Sequence, residues 1–232
     1  MILKGIQKTT LLDFPTKVAC TVFTSGCNFR CPFCHNASLV ISSDNSGTVN
    51  IDEFFEYLKK RRNILDGVCI TGGEPLLQKD IAEFITKIKE LGYAVKLDTN
   101  GSKPKILKEL IDKNLVDYVA MDIKGSRAKY HEICGTEEGK FVDEINESVN
   151  TLLLGKVDYE FRTTIVRELH EKDDFHDIGN WIQGTKKYFL QQFKDSGDLI
   201  SSRSFSAYNK EEMEEILKVV KAYIPSAELR GV

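Results

Sequence analysis

The sequence has no apolar run of the roughly 18 residues that a membrane-spanning helix needs. It also lacks an excess of charge of either sign, since 32 Lys and Arg face 35 Asp and Glu, for a net charge of −3. Phosphate contacts to nucleic acid require a basic surface, so we expect neither a nucleic-acid partner nor a membrane. With 5 prolines and 16 glycines in 232 residues, collagen-like and proline-rich disordered chains are excluded.

Residues 1–13 contain no long apolar stretch of the kind that a secretory signal peptide requires. We therefore expect a cytoplasmic protein whose cysteines stay reduced. Half of its 6 cysteines fall close together in the chain, at Cys27, Cys31 and Cys34. Clustered cysteines in a reducing compartment indicate metal or redox chemistry rather than a disulfide framework.

Short apolar runs alternate with amphipathic stretches along most of the chain. This alternation predicts parallel strands joined by helices, which is an α/β fold. The predicted strands are 18–24, 68–71, 94–97, 116–123, 158–166 and 188–193, and the predicted helices are 51–62, 78–91, 103–114, 141–154, 173–182 and 210–223.

Six strand–helix units fit 232 residues better than a complete eight-unit barrel, which typically needs about 250 residues. We therefore predict a partial (β/α)6 TIM-like barrel, with a flavodoxin-like doubly wound sheet as the alternative. We expect a single domain over residues 1–232, with a core at about 16–194 and a C-terminal helix and tail at about 209–232.

Polar residues of the types found in active sites follow the predicted strands instead of being scattered. In parallel α/β folds the carboxyl ends of the strands share one edge, where active sites form. Four groups of residues are therefore expected to meet in one site: the three cysteines after the first strand, Gly72-Gly73-Glu74-Pro75 after the second, Asp98-Thr99-Asn100-Gly101 after the third, and Asp122 with Lys124 after the fourth.

The most specific motif is Cys27-x3-Cys31-x2-Cys34. Closely spaced thiolates can hold an iron–sulfur cluster, and three ligands leave one iron of a cubane open. Three other interpretations use the same residues. Cys31 and Cys34 could form a glutaredoxin-like dithiol, Cys31 to His35 matches a c-type haem attachment sequence, and the three cysteines with His35 could bind zinc.

Cys-x3-Cys-x-aromatic-Cys, followed by Gly-Gly-Glu-Pro after the next strand, resembles the radical S-adenosylmethionine (SAM) superfamily. The resemblance implies that Cys27, Cys31 and Cys34 ligate a 4Fe–4S cluster whose open iron is chelated by SAM. It further implies that Phe33 lies beside the adenine and that the turn Gly72-Gly73-Glu74-Pro75 meets the SAM amino group. Such a cationic group needs acceptors, which backbone carbonyls and Glu74 would provide.

The first forty residues resemble the activases of glycyl-radical enzymes more closely. Leu12-Asp13-Phe14-Pro15 and the segment 20–36 are similar to the group that activates anaerobic ribonucleoside-triphosphate reductase, although Thr16 stands where that group usually has glycine. The motifs after the third and fourth strands resemble pyruvate formate-lyase activase. That match implies a monovalent cation beside the SAM carboxylate, with Asp98, Thr99 and Asp122 as candidate ligands.

The same match implies SAM contacts for Asp98, Asn100 and Lys124. Arg162 on the fifth strand is expected either to pair with the SAM carboxylate or to form a core salt bridge. Lys194 occupies the position of a ribose-contacting histidine. Cys20 and Cys69 lie in apolar runs and are expected to be buried. Cys134 is expected to be a core or loop thiol, and His170 a surface residue.

The resemblance implies an oxidoreductase that reductively cleaves SAM to a 5′-deoxyadenosyl radical. That radical would install a glycyl radical on a partner of the anaerobic ribonucleotide reductase or pyruvate formate-lyase type. A flavodoxin- or ferredoxin-like protein would donate the electron. Two alternatives stay open. One is a small-molecule enzyme such as a 7-carboxy-7-deazaguanine synthase, and the other is a non-enzymatic iron–sulfur or zinc module.

Overall fold

The computed structural model describes residues 1–41, 47–195 and 197–232, which form one eight-stranded sheet. Its strands are β1 (Leu3–Thr10), β2 (Ala19–Thr24), β3 (Gly67–Gly72), β4 (Ala94–Thr99), β5 (Tyr118–Asp122), β6 (Asp158–Ile165), β7 (Tyr188–Gln192) and β8 (Glu228–Arg230). Its helices are α1 (Ala37–Ile41), α2 (Ile51–Lys60), α3 (Ile81–Glu90), α4 (Pro104–Asp112), α5 (Tyr130–Cys134), α6 (Val142–Leu153), α7 (Asp174–Trp181) and α8 (Lys210–Lys221).

The predicted fold class is confirmed. The six predicted strands are β2 to β7, which pair in chain order and are parallel throughout. Within the described residues β1 and β8 end the sheet, so it stays open as in a partial barrel. Because the strands are parallel, their carboxyl ends lie along one edge and can share a site.

Two edge strands were missed by the sequence analysis. β1 runs antiparallel to β2, with Gln7 opposite Thr21. β8 has three residues and pairs in parallel with β7, with Leu190 opposite Leu229. Most residues of both strands are exposed or half-buried, so neither has the apolar run that identifies a central strand.

The six predicted helices are present with slightly shorter bounds, and their sequences explain where they begin. The Asn50 side chain accepts hydrogen bonds from the backbone N–H groups of Asp52 and Glu53, which caps α2. Asn209 and Glu212 form a reciprocal capping box at the start of α8. Two five-residue helices, α1 and α5, were not predicted because they are too short to show periodicity.

The two faces of the sheet differ in chemistry. Val95 and Leu97 of β4 are fully buried in the apolar core on the helix side. Lys96 and Asp98 alternate with them and therefore point to the opposite, concave face. That face carries several ionised groups, so the inside of the partial barrel is polar.

The Asp13-Phe14-Pro15 segment closes the amino-terminal end of this concave face. Phe14 is buried against Ala19 and Tyr118, at the beginnings of β2 and β5. The Thr21 hydroxyl donates a 2.5 Å hydrogen bond to Asp13. Of the two segments that resemble glycyl-radical-enzyme activases, this one therefore lies at the end of the barrel opposite the carboxyl edge and packs against β2 and β5.

The longest helices of the described chain, α6 and α8, have 12 residues. None of the described helices combines the length and apolar character needed to cross a bilayer.

Candidate functional site

A cavity of about 490 Å³ opens at the carboxyl ends of the strands, within the range typical of small-molecule sites. It brings together most of the residues that the sequence analysis selected. The predicted residues that line it are Cys27, Cys31, Phe33, Cys34, Gly72, Gly73, Asp98, Thr99, Asn100, Asp122, Lys124, Arg162 and Lys194.

The three cysteines lie on the loop between β2 and α1, and backbone hydrogen bonds fix that loop. Gly26 N–H donates to the Leu39 carbonyl at 2.8 Å, and Cys34 N–H donates to the Cys31 carbonyl at 3.0 Å. The Arg30 guanidinium donates to the Cys27 carbonyl at 2.5 Å. The thiols are therefore presented to the cavity by a loop with a defined conformation.

Burial and nearby groups act on the pKa values of the three thiols in opposite directions. Burial raises the pKa of Cys27 to about 12 and also raises the pKa of Cys34. A hydrogen bond from Cys134 lowers the pKa of Cys31. The Lys124 charge acts to lower the pKa of all three thiols. Lys124 thus favours the thiolate form, which is the form that binds iron, but burial outweighs its effect at Cys27 and Cys34.

The donor set of the loop consists of three cysteines that all line the cavity. Among residues 1–41, 47–195 and 197–232, no three His, Cys, Asp or Glu side chains form a group that could hold one metal ion. A cubane receives each cysteine at a separate iron, and three cysteines leave its fourth iron open. Three thiols on one loop therefore fit a 4Fe–4S cluster.

The turn after β3 is attached directly to the cysteine loop. Gly73 N–H donates to the Thr24 carbonyl at 2.9 Å, and Glu74 N–H donates to the Gly26 carbonyl at 2.8 Å. A Cβ atom on Gly73 would lie 2.0 Å from the Gly26 carbonyl oxygen, a separation that no side chain tolerates. Glycine is therefore required at position 73 for the two loops to meet.

We expect Gly73→Ala to lower the free energy of unfolding by about 1–3 kcal/mol, because the added methyl forces the two loops apart. Gly26 precedes Cys27, so bound iron per chain should fall as well. Denaturant titration and iron analysis measure the two effects. Gly5→Ala is the control, since its Cβ would meet Phe23 at an ordinary 3.5 Å. Equal stability and iron content in the two variants would contradict the prediction.

Gly72 and Gly73 line the cavity, whereas Glu74 and Pro75 of the same turn lie behind its wall. The Glu74 carboxylate is fully buried and accepts hydrogen bonds from Asn100 N–H at 2.7 Å and Leu76 N–H at 3.0 Å. The Thr99 hydroxyl donates to it at 2.9 Å. Burial raises the Glu74 pKa to about 7, although the three hydrogen bonds act in the opposite direction. Glu74 thus connects this turn to the end of β4.

Asn100 is oriented by contacts of its own. Its amide donates to Asn28 at 3.0 Å and lies 3.7 Å from the Cys27 sulfur. Its side-chain oxygen accepts from Ser102 N–H at 2.9 Å. Asn100 is therefore in a position to orient Cys27 in addition to facing the cavity.

Ion pairs occupy the wall of the cavity formed by β4, β5 and β6. Arg162 bridges Asp98 at 3.2 Å and Asp122 at 3.0 Å. Lys124 pairs with Asp122 at 2.9 Å, and Lys96 pairs with Asp98. Although burial acts to raise the pKa of Asp122, the Arg162 and Lys124 charges hold it well below its usual range. Arg162 thus makes the core salt bridges that the sequence analysis considered, and it also faces the cavity.

The predicted monovalent cation does not fit this wall. Both oxygens of Asp98 and both oxygens of Asp122 already accept hydrogen bonds from cationic groups. The Thr99 hydroxyl donates to Glu74 and accepts from Gly101 N–H at 3.1 Å. A cation at this wall would have to share the two carboxylates with the ammonium and guanidinium groups that already neutralise them.

His170 was expected at the surface but is fully buried. Its Nδ1 accepts from Val166 N–H at 3.1 Å, and its Nε2 lies 2.7 Å from the Lys124 carbonyl oxygen. Its ring lies edge-on to Phe33 with centroids 6.5 Å apart. Burial lowers the pKa of His170. His170 therefore supports two residues of the cavity wall.

Several lining residues were missed. Four of them lie at the ends of β3, β6 and β7, where the strand-end rule could have identified them: Thr71, Thr164, Gln191 and Gln192. The others are Phe29, Asn36, Val40 and Phe193. His35, which the sequence analysis considered as a zinc ligand, also lines the cavity. Lys96, a charged residue within an apolar strand, was a sequence signal that was overlooked. The contact between Cys134 and Cys31 had no local signal, because 102 residues separate the two positions.

Comparison with known proteins supports this interpretation of the cavity. A sequence model of the radical SAM superfamily matches residues 21–173. A protein of Methanocaldococcus jannaschii, provisionally named a glycyl-radical enzyme activating enzyme, is 33% identical over 100% of this chain and 96% of its own length. The pyruvate formate-lyase-activating enzyme of Listeria monocytogenes is 33% identical over 47% of this chain and 48% of its own.

A solved structure shares the fold at low sequence identity. Streptococcus suis SuiB superposes with a TM-score of 0.68 and 14% identity, over 95% of this chain and 50% of the SuiB chain. At this identity the similarity concerns the fold alone.

Proposed function

The chain belongs to the radical SAM superfamily, and we propose that it installs a glycyl radical on a partner enzyme. Membership implies a 4Fe–4S cluster and SAM as cofactors. The observation that carries the activase assignment is the 33% identity to a provisionally named glycyl-radical enzyme activating enzyme over 96% of that protein's length. A match of this extent includes the cysteine loop, the cavity and the Asp13-Phe14-Pro15 segment together.

In this proposal Cys27, Cys31 and Cys34 hold the cluster. When bound and reduced, the cluster supplies the electron that cleaves SAM to methionine and a 5′-deoxyadenosyl radical. The protein residues orient SAM and keep solvent and wrong hydrogen donors away from it. No general base or nucleophile of the protein is needed.

The charges of the cavity wall suit the methionine carboxylate of SAM. Lys96, Lys124 and Arg162 pair with Asp98 and Asp122, so this cluster of five side chains has a net charge of +1. Lys124 and Arg162 line the cavity itself. We propose that these two cations bind the SAM carboxylate, because opposite charges attract strongly where water is scarce.

The remaining predicted contacts are distributed around the cavity. Gly72 and Gly73 are the part of their turn that faces it, and we propose that they lie beside the SAM amino group. Phe33, held edge-on by His170, is proposed to contact the adenine. Lys194, on the segment after β7, is proposed to contact the ribose.

The proposed partner is a glycyl-radical enzyme of the ribonucleotide reductase or pyruvate formate-lyase type. A flavodoxin- or ferredoxin-like protein is the proposed electron donor. An open barrel admits a protein loop more readily than a closed one, and the described strands leave the sheet open between β1 and β8.

The test is to mix the anaerobically reconstituted, reduced chain and SAM with each glycyl-radical enzyme encoded in the same genome. We expect a glycyl-radical EPR doublet on one partner, with one 5′-deoxyadenosine formed per radical. Labelling the partner's glycine with 13C at Cα should broaden the doublet. 5′-Deoxyadenosine formed without a radical on any partner would indicate a small-molecule substrate. A chain that cleaves no SAM would indicate a binding module.

A further inference from the structure

Lys96 is an unusual residue for its position. It lies in the middle of β4, and only 2% of its surface is exposed. Lysine is rarely buried to this extent unless its charge is paired. Its ammonium contacts Asp98 and lies 3.8 Å from the Cys69 sulfur, beneath the cavity wall. Asp98 is therefore paired with a positive charge that is itself buried.

The position of this charge relates it to the cavity. Lys96 does not line the cavity, whereas Asp98 does. One Asp98 oxygen accepts from Lys96, and the other accepts from Arg162 at 3.2 Å. Lys96 thus fixes and neutralises a carboxylate that would otherwise repel a carboxylate ligand entering the cavity.

The monovalent cation predicted from the sequence would have the same effect as Lys96, because it would neutralise Asp98 and Asp122 beside the SAM carboxylate. An ammonium carries the same charge as a monovalent metal ion, and its attachment to the strand keeps it in place. A metal ion entering this wall would also be repelled by Lys96, Lys124 and Arg162. The Lys96 ammonium and a monovalent metal ion are therefore alternatives for neutralising the carboxylates of this wall.

We propose that Lys96 is a positioning residue that replaces a monovalent cation, so that SAM binds to this protein without one. The proposal rests on the proposed function in that the cavity is the SAM site. It does not depend on which partner receives the radical. It predicts that SAM affinity is insensitive to the monovalent cation in the buffer.

The first experiment uses the reconstituted wild-type protein. SAM affinity is measured by equilibrium dialysis and by the change in the EPR signal of the reduced cluster. The buffers contain K⁺, Na⁺ or tetramethylammonium at equal ionic strength, because tetramethylammonium is too large to occupy a cation site. We expect affinities that agree within about twofold. Binding that is tighter in K⁺ or Na⁺ by on the order of tenfold would overturn the proposal.

The second experiment uses Lys96→Met, which keeps a long apolar side chain and removes the charge. We expect its SAM affinity in tetramethylammonium to fall by on the order of tenfold, and K⁺ or Na⁺ to restore much of it. A merely structural role for Lys96 would not create a cation dependence. Lys113→Met is the control, because Lys113 forms an exposed ion pair with Glu109. It should behave like the wild type in every buffer.

Binding of radioactive rubidium, a K⁺ analogue, tests the site without SAM. We expect no stoichiometric binding to the wild type, and one bound ion per chain would overturn the proposal. This measurement and the wild-type titration decide the matter even if Lys96→Met does not fold. A wild-type chain that binds SAM in no buffer would overturn the proposed function together with this inference. Cation-dependent SAM binding would overturn the inference alone.

Discussion

Replacing Cys31 by alanine is expected to abolish cluster binding and with it SAM cleavage. Cys31 lies between the other two cysteines of the loop, is 7% exposed, and lines the cavity. Mutation of a residue that hydrogen-bonds to a metal ligand typically lowers metal affinity or activity 10- to 100-fold. Removal of the ligand itself should therefore lower them at least about 100-fold. Iron and sulfide content per chain and 5′-deoxyadenosine formed after reduction are the measurements.

Two further cysteines serve as comparisons. Cys20 is fully buried in β2, where burial raises its pKa to about 12, so Cys20→Ala should retain a full cluster. Cys134 is also buried, but its thiol contacts Cys31. We expect Cys134→Ala to retain four irons per chain, in keeping with a three-cysteine cluster site. If it loses as much iron as Cys31→Ala, Cys134 is a ligand and the assignment of three cysteines is wrong.

Arg162→Met is expected to lower the free energy of unfolding by about 3 kcal/mol. Arg162 bridges Asp98 and Asp122, and its side chain is 14% exposed. Removing it leaves two largely buried carboxylates with one lysine partner each. Removing one partner of a buried ion pair lowers the free energy of unfolding by more than the intact pair contributes to it, because the remaining charge stays desolvated. Denaturant titration measures the effect, and SAM affinity should fall in parallel.

Arg127→Met is the matched control for this prediction. Arg127 also bridges two segments through a carboxylate, pairing with Asp177 at 2.5 Å, but its side chain is 45% exposed. Loss of an exposed ion pair should lower the free energy of unfolding by less than about 1 kcal/mol. Arg162→Lys adds a second test, since lysine keeps the charge but cannot bridge both carboxylates, and it should recover only part of the loss. Equal costs for Arg162→Met and Arg127→Met would refute a stabilising role for the buried network.

The sequence alone determined the alternation of strands and helices and the edge at which the polar residues collect. These features have local causes. Short apolar runs define β2 to β7, and caps such as Asn209 mark where helices begin. The spacing of Cys27, Cys31 and Cys34 is likewise local, so the metal-binding loop could be recognised before any fold was known.

The tertiary structure decided which polar groups face the cavity and which face each other. Donors from β4 and from its own turn surround the Glu74 carboxylate, and the sequence did not indicate these contacts. Asp98 and Asp122 were expected to hold a cation, but Arg162 and two lysines already neutralise them. The pairings that Arg162 makes with the two aspartates, and Glu74 with Asn100, join residues 26 to 64 positions apart and depend on how the strands are staggered around the barrel. A periodic pattern places a side chain on a face of the sheet, but only the packed sheet determines its neighbour.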